Sequence, residues 1–199
     1  MTVNELIAIA KNEIGTKESP ANSNNVKYNT WLYGKPVNGS AYPWCAAFVS
    51  WCFRTAQNIC PKTASCLNML EWFERNGQIV KNPKPGDIVF FKYATNGRRT
   101  NHVGIVESVE GYTINTIEGN TSATSADNGG KVLRRKRKTN IVAFARPKYT
   151  AEVKADVDTV AREVIDGKWG TGNDRRQRLE RAGYVYREVQ DRVNQILKG

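Results

Sequence analysis

One histidine occurs in this chain, His102, in Asn101-His102-Val103-Gly104-Ile105-Val106. Upstream lies a cysteine flanked by tryptophans, in Pro43-Trp44-Cys45-Ala46-Ala47-Phe48-Val49-Ser50-Trp51. Thiol chemistry near neutral pH needs a base, and that imidazole is the one candidate. A third group that orients the ring and stabilises its charged form is offered by Glu118 or Asn120 in Thr116-Ile117-Glu118-Gly119-Asn120-Thr121. Cysteine, histidine, then a carboxylate or amide is the chain order of a cysteine hydrolase.

The elements that must hold these groups follow from periodicity. Asn4 to Ile14 has amphipathic helical spacing ended by Gly15, Trp44 to Phe53 is an almost wholly apolar helix, and a third helix runs from about Ser65 to Asn76. After Pro83-Lys84-Pro85-Gly86, strand-like segments take over at 87–92, 102–109, 112–117, 131–137 and 141–146. Helices followed by an antiparallel sheet make an α+β pattern. From Asp156 onward three short helical stretches return, the first closed by Gly167, the second capped by Asn173 or Asp174, the third carrying Val189, Val193, Ile196 and Leu197. The expected organisation is a domain over 1–148, a linker over 149–155 and a three-helix bundle over 156–199. A module of that size usually binds rather than catalyses.

A cysteine that opens a buried helix lies beside unpaired backbone N–H groups and the positive end of the helix dipole, which favours thiolate. The same N–H groups can receive an oxyanion. Cys52, Cys60 and Cys66 read as inert core thiols, and the four cysteines lack the spacing of a zinc site. Disulfides are not expected of a chain made in a reducing compartment.

The chain has 199 residues and a formal net charge of +11. Residues 1–150 carry 20 basic and 10 acidic side chains against 10 and 9 in 151–199. The densest cluster, Arg134-Arg135-Lys136-Arg137-Lys138, reads first as a solvated hairpin and second as a site of attraction to a polyanion. No nucleic-acid-binding motif accompanies it, so nucleic acid is not an expected partner. No apolar window suits a membrane span, and residues 1–15 lack a signal-type apolar stretch. Cytoplasmic synthesis is therefore expected.

Four segments together resemble the CHAP family, the cysteine- and histidine-dependent amidohydrolase/peptidase domains of bacteriophage endolysins and bacterial autolysins. They are Pro43 to Trp51, Pro85-Gly86-Asp87-Ile88-Val89-Phe90-Phe91, Asn101 to Val106 and Glu118-Gly119-Asn120. The resemblance spans roughly residues 1–148 and implies a papain-like fold. It also implies that Cys45 is nucleophile and His102 base, with Glu118 orienting the histidine, Asn120 completing the site and Trp44 near the substrate. Some members carry an aspartate-rich calcium loop before the cysteine. Here 22–39 contains no Asp or Glu, which argues against tightly bound calcium, and no cofactor is expected.

The segment from Val160 through Trp169-Gly170, Gly172-Asn173-Asp174-Arg175, Ala182-Gly183-Tyr184 and Val189 to Asn194 resembles the choline-independent cell-wall-binding repeat of some phage lysozymes. The resemblance implies recognition of peptidoglycan, with Trp169 and Tyr184 stacking on sugars and Asp174 and Arg175 hydrogen-bonding them. Core packing and helix capping are the alternative roles of these residues. Together the two resemblances imply an endolysin that waits in the host cytoplasm, reaches the wall after release and hydrolyses amide bonds of peptidoglycan, as amidase or endopeptidase. Anionic wall polymers are a further expected partner. Two other classes stay open: an intracellular papain-like protease or effector, and a noncatalytic wall-binding protein.

Overall fold

Thr2 begins the ordered structure by a reciprocal cap. Its hydroxyl accepts from the Glu5 N–H at 3.2 Å while the Glu5 carboxylate accepts from the Thr2 N–H at 2.7 Å, which starts α1 (Val3–Asn12). The computed structural model describes residues 1–93, 97–125, 128–150 and 155–198. They fall into two units, Met1–Ala151 and Glu152–Gly199. The expected linker over 149–155 lies partly outside the described residues.

In the first unit α1 is followed by α2 (Lys27–Tyr33), α3 (Cys45–Thr55) and α4 (Cys66–Arg75). A six-stranded sheet then forms from β1 (Ile79–Val80), β2 (Ile88–Phe91), β3 (His102–Glu110), β4 (Thr113–Thr121), β5 (Lys131–Arg137) and β6 (Ile141–Ala145). The strand order is β1-β6-β2-β3-β4-β5, and every pairing is antiparallel. The fold is α+β, as the change of periodicity near Pro83 predicts. Helix α2 is not among the expected elements. It is one of the shorter helices, has no side-chain cap, and ends on Gly34 with φ +72°.

Strand alternation sorts the sheet into two faces. Val103, Ile105 and Ile117 join Trp44, Phe48, Val49 and Phe53 in the main core. Val89, Phe91, Val106 and Ile114 form a second cluster, which collects the opposite side chains of β2, β3 and β4. Helix α3 lies close on the sheet at Gly119, where a Cβ would meet Phe48 Cβ at 2.7 Å and Trp44 Cζ3 at 2.9 Å. Any side chain at 119 would push α3 and β4 apart.

The second unit holds α5 (Val157–Ile165), α6 (Gly172–Arg181) and α7 (Tyr186–Lys198) around Val160, Ala161, Val164, Leu179, Val189 and Val193. Asp156 caps α5 by accepting from the Thr159 N–H at 2.8 Å. The expectation that Asn173 or Asp174 caps the second helix is not met. Thr171 holds the cap position without a side-chain hydrogen bond, and Asp174 sits within the first turn, paired with Arg178 at 2.9 Å. No helix among the described residues is long and apolar enough to cross a membrane.

Candidate active site

Cys45 is the first residue of α3. The cap position before it, Trp44, makes no side-chain capping bond, so the first-turn N–H groups are not taken up by a cap. The cysteine is buried, yet it borders a cleft of about 370 Å³ lined by Pro43, Ser65, Cys66, Arg98 and Asn101 among others. Its thiol is held well below the usual thiol range. The Cys66 thiol is the largest cause, burial opposes it, and His102 and the Ala46 N–H act in the same direction as Cys66.

His102 opens β3 and is fully buried. Its ring lies beside the stacked pair Phe91 and Tyr93, 6.0 Å from each between centroids. Nε2 is 2.8 Å from Glu118 Oε2, and Nδ1 is buried without a hydrogen-bond partner among the described residues. The sheet register explains the first contact. Ile105 pairs with Ile117, and the next step places Glu118 across from Gly104, two residues along the same face from His102. A Cβ at 104 would fall 2.6 Å from Glu118 Cγ, so glycine leaves the space the Glu118 side chain crosses to reach the imidazole.

Glu118 is itself fully buried, and three groups hold it as a carboxylate. Arg137 Nε donates to Oε1 at 2.8 Å and Arg137 Nη2 donates to Oε2, Thr116 Oγ1 donates to Oε1 at 2.5 Å, and His102 completes the set. Burial works to raise the Glu118 pKa, but Arg137 and then His102 outweigh it and bring it down to about 2. For His102 burial works downward, and the interactions with Cys45 and Glu118 overcome it, lifting the ring to about 9. These shifts all favour a thiolate beside an imidazolium, with a carboxylate behind the ring.

Asn120 ends the regular part of β4 with φ +55°, accepts from the Gly129 N–H through its main-chain oxygen at 3.0 Å and from the Gly130 N–H through Oδ1 at 3.4 Å, and leaves Nδ2 buried without a partner among the described residues. Of the two candidates for the third group, Glu118 reaches the histidine. Trp44 is not at the cleft surface. Its indole is fully buried, stacks on Tyr28 at 5.4 Å and donates from Nε1 to Glu18 Oε1 at 2.7 Å, so it shapes the start of α3 from inside the core.

Besides Thr116, Arg137 and Cys66 belong to this site and are not among the residues expected. Arg137 belongs to the basic run read as solvated, but alternation along β5 turns it inward onto Glu118, with its guanidinium over the rings of Phe91 and Tyr93. Cys66, read as an inert core thiol, has its Sγ 3.4 Å from that of Cys45. No local pattern marks Arg137, whose inward face is set by the pairing of β5 with β4. For Cys66 the signal was its place after the capping Ser65, which also opens a helix.

In the second unit Trp169 and Tyr184 are half-buried and meet edge to face at 5.9 Å, with Trp169 Nε1 donating to Glu163 and the Tyr184 hydroxyl to the Ala155 carbonyl. Arg175 donates to the Gly170 carbonyl at 3.0 Å and to Gln190 Oε1 at 3.4 Å, which ties α6 to its neighbours. Asp174 is exposed.

Comparison with known families places a CHAP domain match at residues 37–120 and a CW_7 repeat match at residues 158–197. Over 38 residues the chain is 56% identical to a lysozyme of Streptococcus phage Cp-7, which amounts to 19% of this chain and 11% of that protein. Among solved structures, Ly7917 is similar at 20% identity and a TM-score of 0.47, over 74% of this chain and 62% of that one. Ly7917 with the hydrolyzing product of MDP is similar at 17% identity and a TM-score of 0.47, over 73% and 63%. The wild-type endolysin LysIME-EF1 is similar at 11% identity and a TM-score of 0.42, over 76% and 66%. The chain thus spans about a tenth of the phage lysozyme's length and less than two thirds of each of these solved chains.

Proposed function

We propose that this chain, a CHAP domain followed by one CW_7 repeat, is an endolysin-type peptidoglycan hydrolase that cleaves amide bonds with Cys45 as nucleophile. The observation that carries the reading is the buried His102–Glu118 contact of 2.8 Å set against a cleft-lining cysteine at the head of a helix.

In this mechanism the Cys45 thiolate attacks the carbonyl carbon of a peptide or amide bond in the cleft, and the carbonyl π electrons move to oxygen. The first-turn N–H groups of α3 receive the oxyanion. As the tetrahedral species collapses, the C–N bond breaks and His102 gives a proton to the departing amine, through the nitrogen that Glu118 does not hold. The ring, now neutral, takes a proton from water, the hydroxide attacks the thioester, and the C–S bond breaks to return the thiolate and imidazolium. Glu118 stays ionised throughout and fixes the ring. Arg137 and Thr116 fix Glu118.

The repeat would hold the enzyme on its polymeric substrate. Asp174, exposed, and the half-buried Trp169 and Tyr184 are the groups proposed to meet glycan or peptide, while Arg175 ties the repeat's own helices. The surplus of basic side chains in residues 1–150 would draw that unit toward anionic wall polymers. Release from the host cytoplasm to the wall is part of the same proposal.

Turbidity of purified Gram-positive walls tests the reading. Wild type should clear them and expose new amino and carboxyl termini, whereas Cys45→Ala should bind walls without clearing. Equal clearing by both proteins would remove Cys45 as the nucleophile. Cleavage of soluble proteins with no action on walls would favour an intracellular protease.

A further inference from the structure

Two helices end their chains of N–H groups at one point. Cys45 is the first residue of α3 and Cys66 the first residue of α4, their Sγ atoms are 3.4 Å apart, both thiols are free and buried, and both line the same cleft. A separation of 3.4 Å suits a thiol donating to a thiolate. It does not suit two thiolates, whose like charges would repel strongly in a buried site. One sulfur must therefore keep its proton. The groups that face the pair decide which: the imidazole of His102, from β3, hydrogen-bonds and attracts the Cys45 thiolate, while Cys66 is acted on by Cys45 itself and by the charge of Arg98, from the segment before β3. Cys45 is the sulfur with a base beside it.

We propose that Cys66 is a further catalytic residue, whose Sγ–H donates to the Cys45 thiolate and holds that sulfur ionised and aimed into the cleft. The proposal rests on reading Cys45 as the nucleophile. It assigns the two cysteines opposite protonation states, in keeping with a Cys66 thiol pushed well above the ordinary range by its bond to Cys45 and by burial. A hydrogen bond to a charged group is a strong one. Losing it should therefore show where the thiolate is hardest to keep, on the acid side of the profile.

The test follows the alkylation of Cys45 by iodoacetamide against pH, read by mass spectrometry of the peptide that contains Cys45, with no wall substrate present. Cys66→Ala should move the midpoint up by about one pH unit, the size expected for one charge-assisted hydrogen bond. Cys66→Ser, which keeps a donor, should titrate within a few tenths of a unit of wild type. Cys66→Val fills the space without a donor and should follow alanine, which covers the case in which the smaller side chain unsettles the core. The acid limb of wall hydrolysis should move with the alkylation midpoint. A midpoint unchanged in the alanine and valine variants, or shifted as far by serine as by alanine, would overturn the proposal and leave Cys66 a packing residue. Shifted alkylation in a protein that never clears walls would leave the thiol pair standing and sink the peptidoglycan reading alone.

Discussion

The two units place their charges in opposite ways. In Met1–Ala151 the interior holds His102, Glu118 and Arg137 in one connected set and anchors Asp87 to Arg146 at 2.8 Å. In Glu152–Gly199 ion pairs such as Arg176 with Glu180 and Arg178 with Asp174 join neighbours four apart on exposed helix faces, and Arg192 with Asp158 ties α7 to α5, all outside an all-apolar core. Surface pairs of this kind contribute little to stability, whereas a buried pair broken on one side leaves a charge without a partner. On the proposed function that vulnerability has a use, because a base can be fixed and its charge tuned only where water is excluded. The second needs nothing tuned and can spread its polar groups for contact.

Glu118→Gln should show the difference most strongly. It keeps the shape but removes the charge behind the ring, and wall hydrolysis should fall by about 10²–10⁴-fold, the range for losing an oriented acid–base group. The basic limb reports the same loss. Wild-type activity should decline as pH rises through about 9, where the imidazolium is lost, and the limb should lie lower in Glu118→Gln because one of the interactions lifting the ring is gone. Stability follows the same sign. The raised pKa of His102 contributes stability fully below its unfolded value near 6.5, and that contribution disappears as pH rises through 9. A basic limb common to both proteins would mean that Glu118 does not govern the ring.

Arg137→Met against Arg176→Met compares the units directly. The first strands a buried carboxylate and should destabilise the N-terminal unit by about 3–5 kcal/mol, read as denaturant midpoint. The second opens an exposed pair and should leave the melting temperature of the repeat unchanged. Equal effects would erase the distinction.

The class of fold was legible because the hydrophobic period changes from helical to alternating at Pro83 to Gly86, and the apolar run after Cys45 announced a buried helix. Pairing of residues 16 apart in sequence was also within reach, since His102 and Glu118 head and tail adjacent strands. Arg137 was hidden because a basic run looks the same whether one member turns inward or none does, and only the pairing of β5 with β4 sets that parity. Trp44 was misplaced for a related reason. An aromatic beside a reactive cysteine suggests a cleft wall, but its buried partners Tyr28 and Glu18 come from a region where periodicity marked no element. The contact between Cys45 and Cys66 depends on how α3 and α4 converge, which no local pattern encodes.

Acid quenching of the enzyme during digestion of purified peptidoglycan, followed by mass mapping of the Cys45 peptide and of the released fragments, reaches the central claim most directly. A Cys45 peptide carrying the mass of an acyl fragment is expected, together with new amino groups in the digest. Wall fragments ending in new reducing sugars, with Cys45 unmodified, would contradict the claim.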